Sequence, residues 1–248
     1  MFIMLFSDSV SHPLSQSPGI AEAMRAFFII ATGTDIGKTY LGCGLIRAWR
    51  GQGLKVGAFK PMLSGFDPAK AAESDAGQLL DALGQPVSPQ SLDAISPWRF
   101  TAALSPDAAA AKEGKRVDYP AVLSACRRFL RGDHDVALIE GAGGVMSPLS
   151  EDRTMLDWMA DLRMPVILVA GSYLGTISHS LTALSVLEAR RVPVRLVVMS
   201  ETAGGTVPLA ESALALTRRW ASAPVYFLPR DASAQATGII ADTLLAAG

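Results

Sequence analysis

The chain has 248 residues, of which half are hydrophobic and 18% charged, with a formal net charge of −1. That size and apolar content can bury a large core and argue against disorder over most of the length. With no block of Lys or Arg, a dedicated nucleic-acid surface is not expected, and no apolar run reaches the roughly 18 residues of a membrane span. Cys43 and Cys126 stand too far apart to suggest a zinc site or a disulfide. Each is expected on the apolar face of a helix, in a reducing, cytoplasmic setting.

Residues 1–6 are apolar but lack a basic flank, so they do not read as a signal peptide. Residues 7–19 are rich in Ser and Pro, without periodicity. Residues 1–25 are therefore expected to form a loosely ordered extension, with Met24 a natural start. Residues 26–248 then make one α/β domain.

Residues 27–39, FFIIATGTDIGKT, read as a buried strand, a loop and the opening of a helix. This is the layout of a P-loop, in which backbone N–H groups and a helix N-terminus surround the phosphates of a nucleotide. The usual pattern has a glycine, four intervening residues, then Gly-Lys-Ser/Thr. Here Thr32 holds that place and Gly33 follows it. Residues 33–40, namely Gly33, Thr34, Asp35, Ile36, Gly37, Lys38, Thr39 and Tyr40, are the expected nucleotide contacts. Lys38 would reach the outer phosphates and Thr39 would ligate Mg²⁺. Asp35 shows no structural need to be acidic.

Further strands are predicted over 55–59, 136–139, 166–170, 194–199 and 225–228, mostly as continuous Val/Ile/Leu runs. Such runs mark parallel strands covered on both faces. Helices are predicted over 38–50, 74–83, 119–131, 155–161, 177–190, 209–220 and 234–246. Between 85 and 114, four prolines weaken the pattern, and loops with one short helix are expected. The alternation predicts a doubly wound, mostly parallel sheet with helices on both faces and ligands at the C-terminal strand edge.

Polar clusters fall at that edge. Lys60 follows the second strand, and Pro61 holds it extended. It could face a nucleotide or substrate anion, or simply solvent. Glu140 follows the strand VALI and leads into a glycine run that includes Gly143. A carboxylate there can hold Mg²⁺ as a Walker-B acid does, and the glycines let backbone approach a ligand. Asp75 opens a helix, where capping alone would account for it. Thr39, Asp75 and Glu140, with phosphate oxygens, would supply an Mg²⁺ site. His12, His134 and His179 read as structural.

Taken together, TGTDIGKT at 32–39, KPMLSG at 60–65, SDA at 74–76, LSPDAAA at 104–110, IEGAGGVMSPL at 139–149 and AGSYLGTISH at 170–179 resemble the dethiobiotin synthetase family. The resemblance implies ATP- and Mg²⁺-dependent carboxylation and ring closure of 7,8-diaminopelargonate with CO₂, giving dethiobiotin, ADP and phosphate. It implies Lys38 on the β/γ phosphates and Lys60 on the carbamate and the migrating phosphoryl group. Thr34, Ser64 and Gly143 would contact substrate. Leu174, Gly175, Thr176 and Ser178 would hold the substrate's distal carboxylate across a homodimer interface near the active site. Ser200 and Glu201 stand where family members often carry an adenine-reading Asn-Asp pair. A serine cannot make the amide's two-pronged contact, so looser base selectivity is expected. Replacing Lys38 or Lys60 by Ala is expected to abolish turnover and leave the fold intact. The alternative is an ATPase switch of the partition or cell-division type. That group typically has a second lysine early in the loop, where this chain has Thr32-Gly33-Thr34.

Overall fold

A computed structural model of the chain describes residues 25–203, 207–219, 222–231 and 233–246. The expected extension, with His12 and Met24, lies outside these residues except for Arg25, which already opens the first strand. The chain runs β1 (Arg25–Ala31), α1 (Lys38–Gly51), β2 (Val56–Phe59) and β3 (Met62–Ser64). A 3₁₀ helix (Pro68–Glu73) leads into α2 (Asp75–Ala82), α3 (Pro89–Ile95), β4 (Trp98–Phe100), α4 (Pro106–Lys112) and α5 (Tyr119–Leu130). Then come β5 (Val136–Gly144), α6 (Met155–Leu162), β6 (Val166–Gly171), α7 (Thr176–Ala189) and β7 (Val194–Ser200). The described chain closes with α8 (Leu209–Thr217), β8 (Val225–Leu228) and α9 (Ser233–Ala246).

Six strands pair in the order β2-β5-β1-β6-β7-β8, all parallel. The period of two along β1 divides the core. Phe28 and Ile30 face a layer that includes α5, α6, α7 and α8, while Phe27 and Ile29 face α1, α2, α3 and α9. On the first face Trp158 meets Phe28 edge-on, with centroids 5.0 Å apart. On the second, Trp49 stacks on Phe27 at 6.1 Å and its indole N–H donates to the Ala241 carbonyl at 3.3 Å. Cys43 and Cys126 are buried and unpaired.

The chain leaves β1 through α1 for β2, beyond β5, and leaves β5 through α6 for β6, on the far side of β1. The loops after β1 and β5 thus diverge and open a crevice at their C-terminal ends, the usual ligand position in such sheets.

Three features depart from the sequence reading. The stretch 85–114 holds two short helices, α3 and α4, and the strand β4, which pairs in parallel with β3 as a separate two-stranded sheet. Three-residue strands are too short to show a period. The strand predicted over 136–139 continues to Gly144. Its glycine run pairs with β1 through an irregular register, Ile29 with Glu140 and Ala31 with Gly144. The helix predicted over 209–220 ends at Thr217, and residue 220 lies outside the described set. No helix among the described residues is long and apolar enough to cross a membrane.

Trp49 anchors α1 to both β1 and α9. Trp49→Ala is expected to lower stability by about 3–5 kcal/mol, read as a drop in denaturant midpoint without change of slope.

Candidate functional site

The loop after β1 is shaped by two left-handed residues. Gly37 has φ +102° and precedes α1 without a side-chain cap, so the first N–H groups of that helix stay open to a ligand. A Cβ there would also lie 2.6 Å from Ser200 Oγ. Asp35 has φ +56°, and Asp is among the few non-glycine residues that adopt this conformation readily. The loop therefore gives position 35 a structural reason to be a short polar residue, though not one that requires an acid.

Lys38, buried at 6% exposure, folds back so that Nζ donates to the Gly33 carbonyl at 3.1 Å. Burial, and next the Lys60 ammonium, pull its pKa down to about 8 against the pull of Glu140, Asp75 and Asp35.

Lys60 is not a solvent-facing lysine. It is 2% exposed, and its Nζ lies 2.6 Å from Glu140 Oε1, 2.8 Å from Asp75 Oδ2 and 3.3 Å from the Gly141 carbonyl. Burial alone would lower its pKa. Glu140, then Asp75, outweigh burial and hold the ammonium charged beyond the ordinary lysine range. Glu140 is 1% exposed, and its Oε1 also accepts the Thr39 hydroxyl at 2.8 Å. Asp75 is not the cap of its helix. Ser74 fills that role, its Oγ accepting the Gly77 N–H at 3.1 Å. The Asp75 carboxylate is thereby free to face Lys60. Burial would push the Asp75 carboxyl up, but Lys60 and the Thr39 hydroxyl override it and hold the group below its usual range.

These residues share a cavity of about 770 Å³ at the strand ends. Thr34, Asp35, Gly37, Lys38, Thr39 and Tyr40 line one side. Lys60, Ser64, Asp75 and Gly143 complete the predicted set, with Glu140 immediately behind Lys60. Gly33 contributes its carbonyl to Lys38, and the Ile36 side chain packs over Gly33 and toward the core. The Tyr40 hydroxyl donates to the Arg230 carbonyl at 3.4 Å.

Other predicted residues lie off this cavity wall. Leu174 is 87% exposed, Gly175 caps α7 at φ +94°, and Ser178 is exposed in the first turn. Thr176 is buried, its hydroxyl donating to the Gly171 carbonyl at 2.6 Å. Ser200 is buried beneath Gly37, and the Glu201 carboxylate accepts the Arg230 N–H at 2.8 Å. Neither projects a side chain onto the cavity wall. The cavity also includes residues with no predicted role, notably Ser147 and the segment 103–106. Ser147 and residues 104–106 sit within the motifs IEGAGGVMSPL and LSPDAAA, but only the folded chain brings them to one cavity with the P-loop.

A family model described as an AAA domain matches residues 25–225. The protein named ATP-dependent dethiobiotin synthetase BioD from Phenylobacterium zucineum is 48% identical over 225 residues, covering 90% of this chain and 96% of that protein. Its namesake from Caulobacter vibrioides is 44% identical, covering 90% and 100%. This chain belongs to the dethiobiotin synthetase family. Among solved structures, the MinC:MinD cell division complex of Aquifex aeolicus superposes with a TM-score of 0.55 at 12% identity, over 90% of this chain and 96% of that one. MinD from the same organism gives 0.51 at 13%, over 90% and 98%. At such identity the likeness is one of fold, the doubly wound P-loop architecture, and carries nothing about activity.

As a member of the dethiobiotin synthetase family, the chain presents Lys60 as a buried partner as well as a candidate catalytic group. That revises the expectation that its loss leaves the fold intact. Lys60→Met strands a buried Glu140 carboxylate and is expected to cost about 3–5 kcal/mol. Adding Glu140→Gln should restore most of this. Denaturant melts of the single and double variants decide it.

Proposed function

We propose that this chain is a dethiobiotin synthase of the cytoplasm, a ligase that carboxylates 7,8-diaminopelargonate and closes its ureido ring with ATP. One P-loop domain spanning 26–248 would carry the reaction. The observation that supports it most is the convergence on one cavity of a P-loop lysine, a second buried lysine paired with Asp75 and Glu140, the further carboxylates Asp35 and Glu73, and several hydroxyls. This is the equipment for holding several anions together, and it contains little that resembles acid–base or nucleophilic machinery.

The reaction begins as one substrate amine adds to CO₂ and loses a proton, giving a carbamate. A carbamate oxygen then attacks the γ-phosphorus of ATP, and ADP leaves. The second amine attacks the resulting carbonyl, phosphate leaves, and the ring closes. Lys38 and the N–H groups at the start of α1 would bind the β/γ phosphates. Lys60 would place a permanent positive charge beside the carbamate, and Thr34 and Ser64 would orient carbamate and diamine. Asp35, on the same wall, would face a substrate ammonium.

Mg²⁺ fits the donor set. Thr39 meets Glu140 at Oε1 and Asp75 meets the same Lys60, so two carboxylates and a hydroxyl converge there, and Glu140 Oε2 is buried without a hydrogen-bond partner. Two carboxylates and a hydroxyl, completed by phosphate oxygens and water, match what Mg²⁺ prefers. When bound it would neutralise charge on the phosphates. Leu174, Gly175, Thr176 and Ser178 lie at the same sheet edge but off the cavity, which suits contact with a second copy. Leu174, at 87% exposure, offers apolar surface for a homodimer there.

Two outcomes test this reading. Purified protein supplied with the diamine, bicarbonate, Mg²⁺ and ATP should form dethiobiotin and phosphate in equal amounts, and Lys38→Ala should abolish both. Phosphate release indifferent to the diamine would favour an ATPase switch. The second test uses pH. Only the protonated form of Lys38 attracts phosphate, so affinity for a non-hydrolysable ATP analogue should fall as pH rises through about 8. The limiting slope is about tenfold per pH unit, measurable by calorimetry from neutral to alkaline pH.

A further inference from the structure

β5 does not stop at its carboxylate. From Glu140 to Gly144 it takes four residue steps against two on β1, so 141–143 bulge toward the cavity with Gly143 at φ +68°. One side chain pins this bulge. The Gly144 N–H donates to Ser147 Oγ at 2.7 Å, and the Ser147 N–H donates back to the Gly144 carbonyl at 3.0 Å. The Ser147 carbonyl in turn accepts the Met155 N–H at 3.0 Å, tying the turn to the head of α6. A Cβ on Gly143 would collide with Ser147 Oγ and would lie 3.7 Å from Thr34 Oγ1. Ser147 and Thr34 therefore flank Gly143 on the wall of the cavity that Lys60 also lines.

Donor counting makes this hydroxyl matter. An ammonium has three N–H donors. Those of Lys60 already have three protein acceptors, on Glu140, Asp75 and Gly141. Lys60 thus supplies charge, while hydrogen bonds to a neighbouring anion have to come from elsewhere. Among the described residues, the Ser147 hydroxyl makes one hydrogen bond, and makes it as acceptor. Its own hydrogen is free to donate.

Building on the carboxylation reading above, we propose that Ser147 is a substrate-contacting residue whose hydroxyl donates to a carbamate oxygen of the carboxylated diamine. The Gly144 N–H fixes the position of Oγ, and that hydrogen bond directs the hydroxyl hydrogen away from Gly144. Ser147 acts on the carbamate, whereas the nucleotide is held by the P-loop.

The test separates these ligands. Wild type, Ser147→Ala and Ser147→Thr are each titrated with diamine in ¹³C-bicarbonate without nucleotide, and the enzyme-bound carbamate resonance is followed. Steady-state KM values for diamine and ATP are measured alongside. Loss of a hydrogen bond to a charged group predicts diamine binding weakened about tenfold or more in Ser147→Ala. The KM for ATP stays unchanged, and Ser147→Thr remains near wild type. Diamine binding within twofold of wild type in Ser147→Ala overturns the proposal, as does a loss confined to ATP. Should Ser147→Ala fail to fold, Ser147→Cys keeps the shape with a poor donor. Wild-type diamine binding in that variant is equally fatal. A wild-type enzyme that makes dethiobiotin while Ser147→Ala binds normally removes only the Ser147 role. A wild-type enzyme that makes none removes the parent reading with it.

Discussion

The site is organised around one buried cation. Lys60 leaves the end of β2 and is received by Glu140 from β5 and Asp75 from α2, with side-chain exposures of 2%, 1% and 39%. A charge so far from water is tolerated only if its partners are fixed and its donors filled. That demand reaches into the surrounding structure. Pro61 holds Lys60 extended, Ser74 takes over capping so that Asp75 is free, and the bulge in β5 brings the Gly141 carbonyl into range.

The two lysines of the cavity are in opposite electrostatic states, and their difference is mutual. Lys60 is locked by two carboxylates. Lys38 has a carbonyl for its partner and feels Lys60 as a neighbouring like charge, which with burial drops its pKa to about 8. A cation held weakly by its own loop loses little when it turns to a phosphate. A cation held firmly by carboxylates keeps its place and supplies field. In the proposed reaction these are complementary duties: one lysine follows the nucleotide, and the other stays beside the carbamate throughout.

Much of the frame could be read from the chain because buried parallel strands announce themselves as unbroken Val/Ile/Leu runs. Most strands of the main sheet lie where apolar runs of this kind occur, β2 with its VGAF being the weakest example. The Lys60 and Glu140 positions were legible for a related reason, since a polar residue directly after a buried apolar run must sit at the sheet edge, and Lys38 was legible from the Gly-Lys-Thr that opens α1. What stayed hidden was everything set by tertiary contact. β3 and β4 are three residues each and gain their pairing only from one another. The glycine run after Ile139 reads as a turn, yet it continues as a strand because β1 accepts its irregular register. Asp75 could be a cap or a ligand until Ser74 was seen to fill the capping role. The conformation of Asp35 follows from the loop's closure and from no local pattern.

Ser200 shows how a residue at a strand end can shape the site through the backbone it supports. It ends β7 at the edge where ligands bind, yet its side chain supports Gly37 from below, and Glu201 beside it secures the backbone of Arg230. The same reasoning limits what the MinD likeness can carry. A shared sheet order brings the same strand ends together, but whether the edge times a switch or holds an anionic intermediate depends on which side chains turn inward there. In this chain the inward set is two lysines, the carboxylates of Asp35, Glu73 and Asp75 with Glu140 behind Lys60, and several hydroxyls, and its buried lysines can hold negative charge in place.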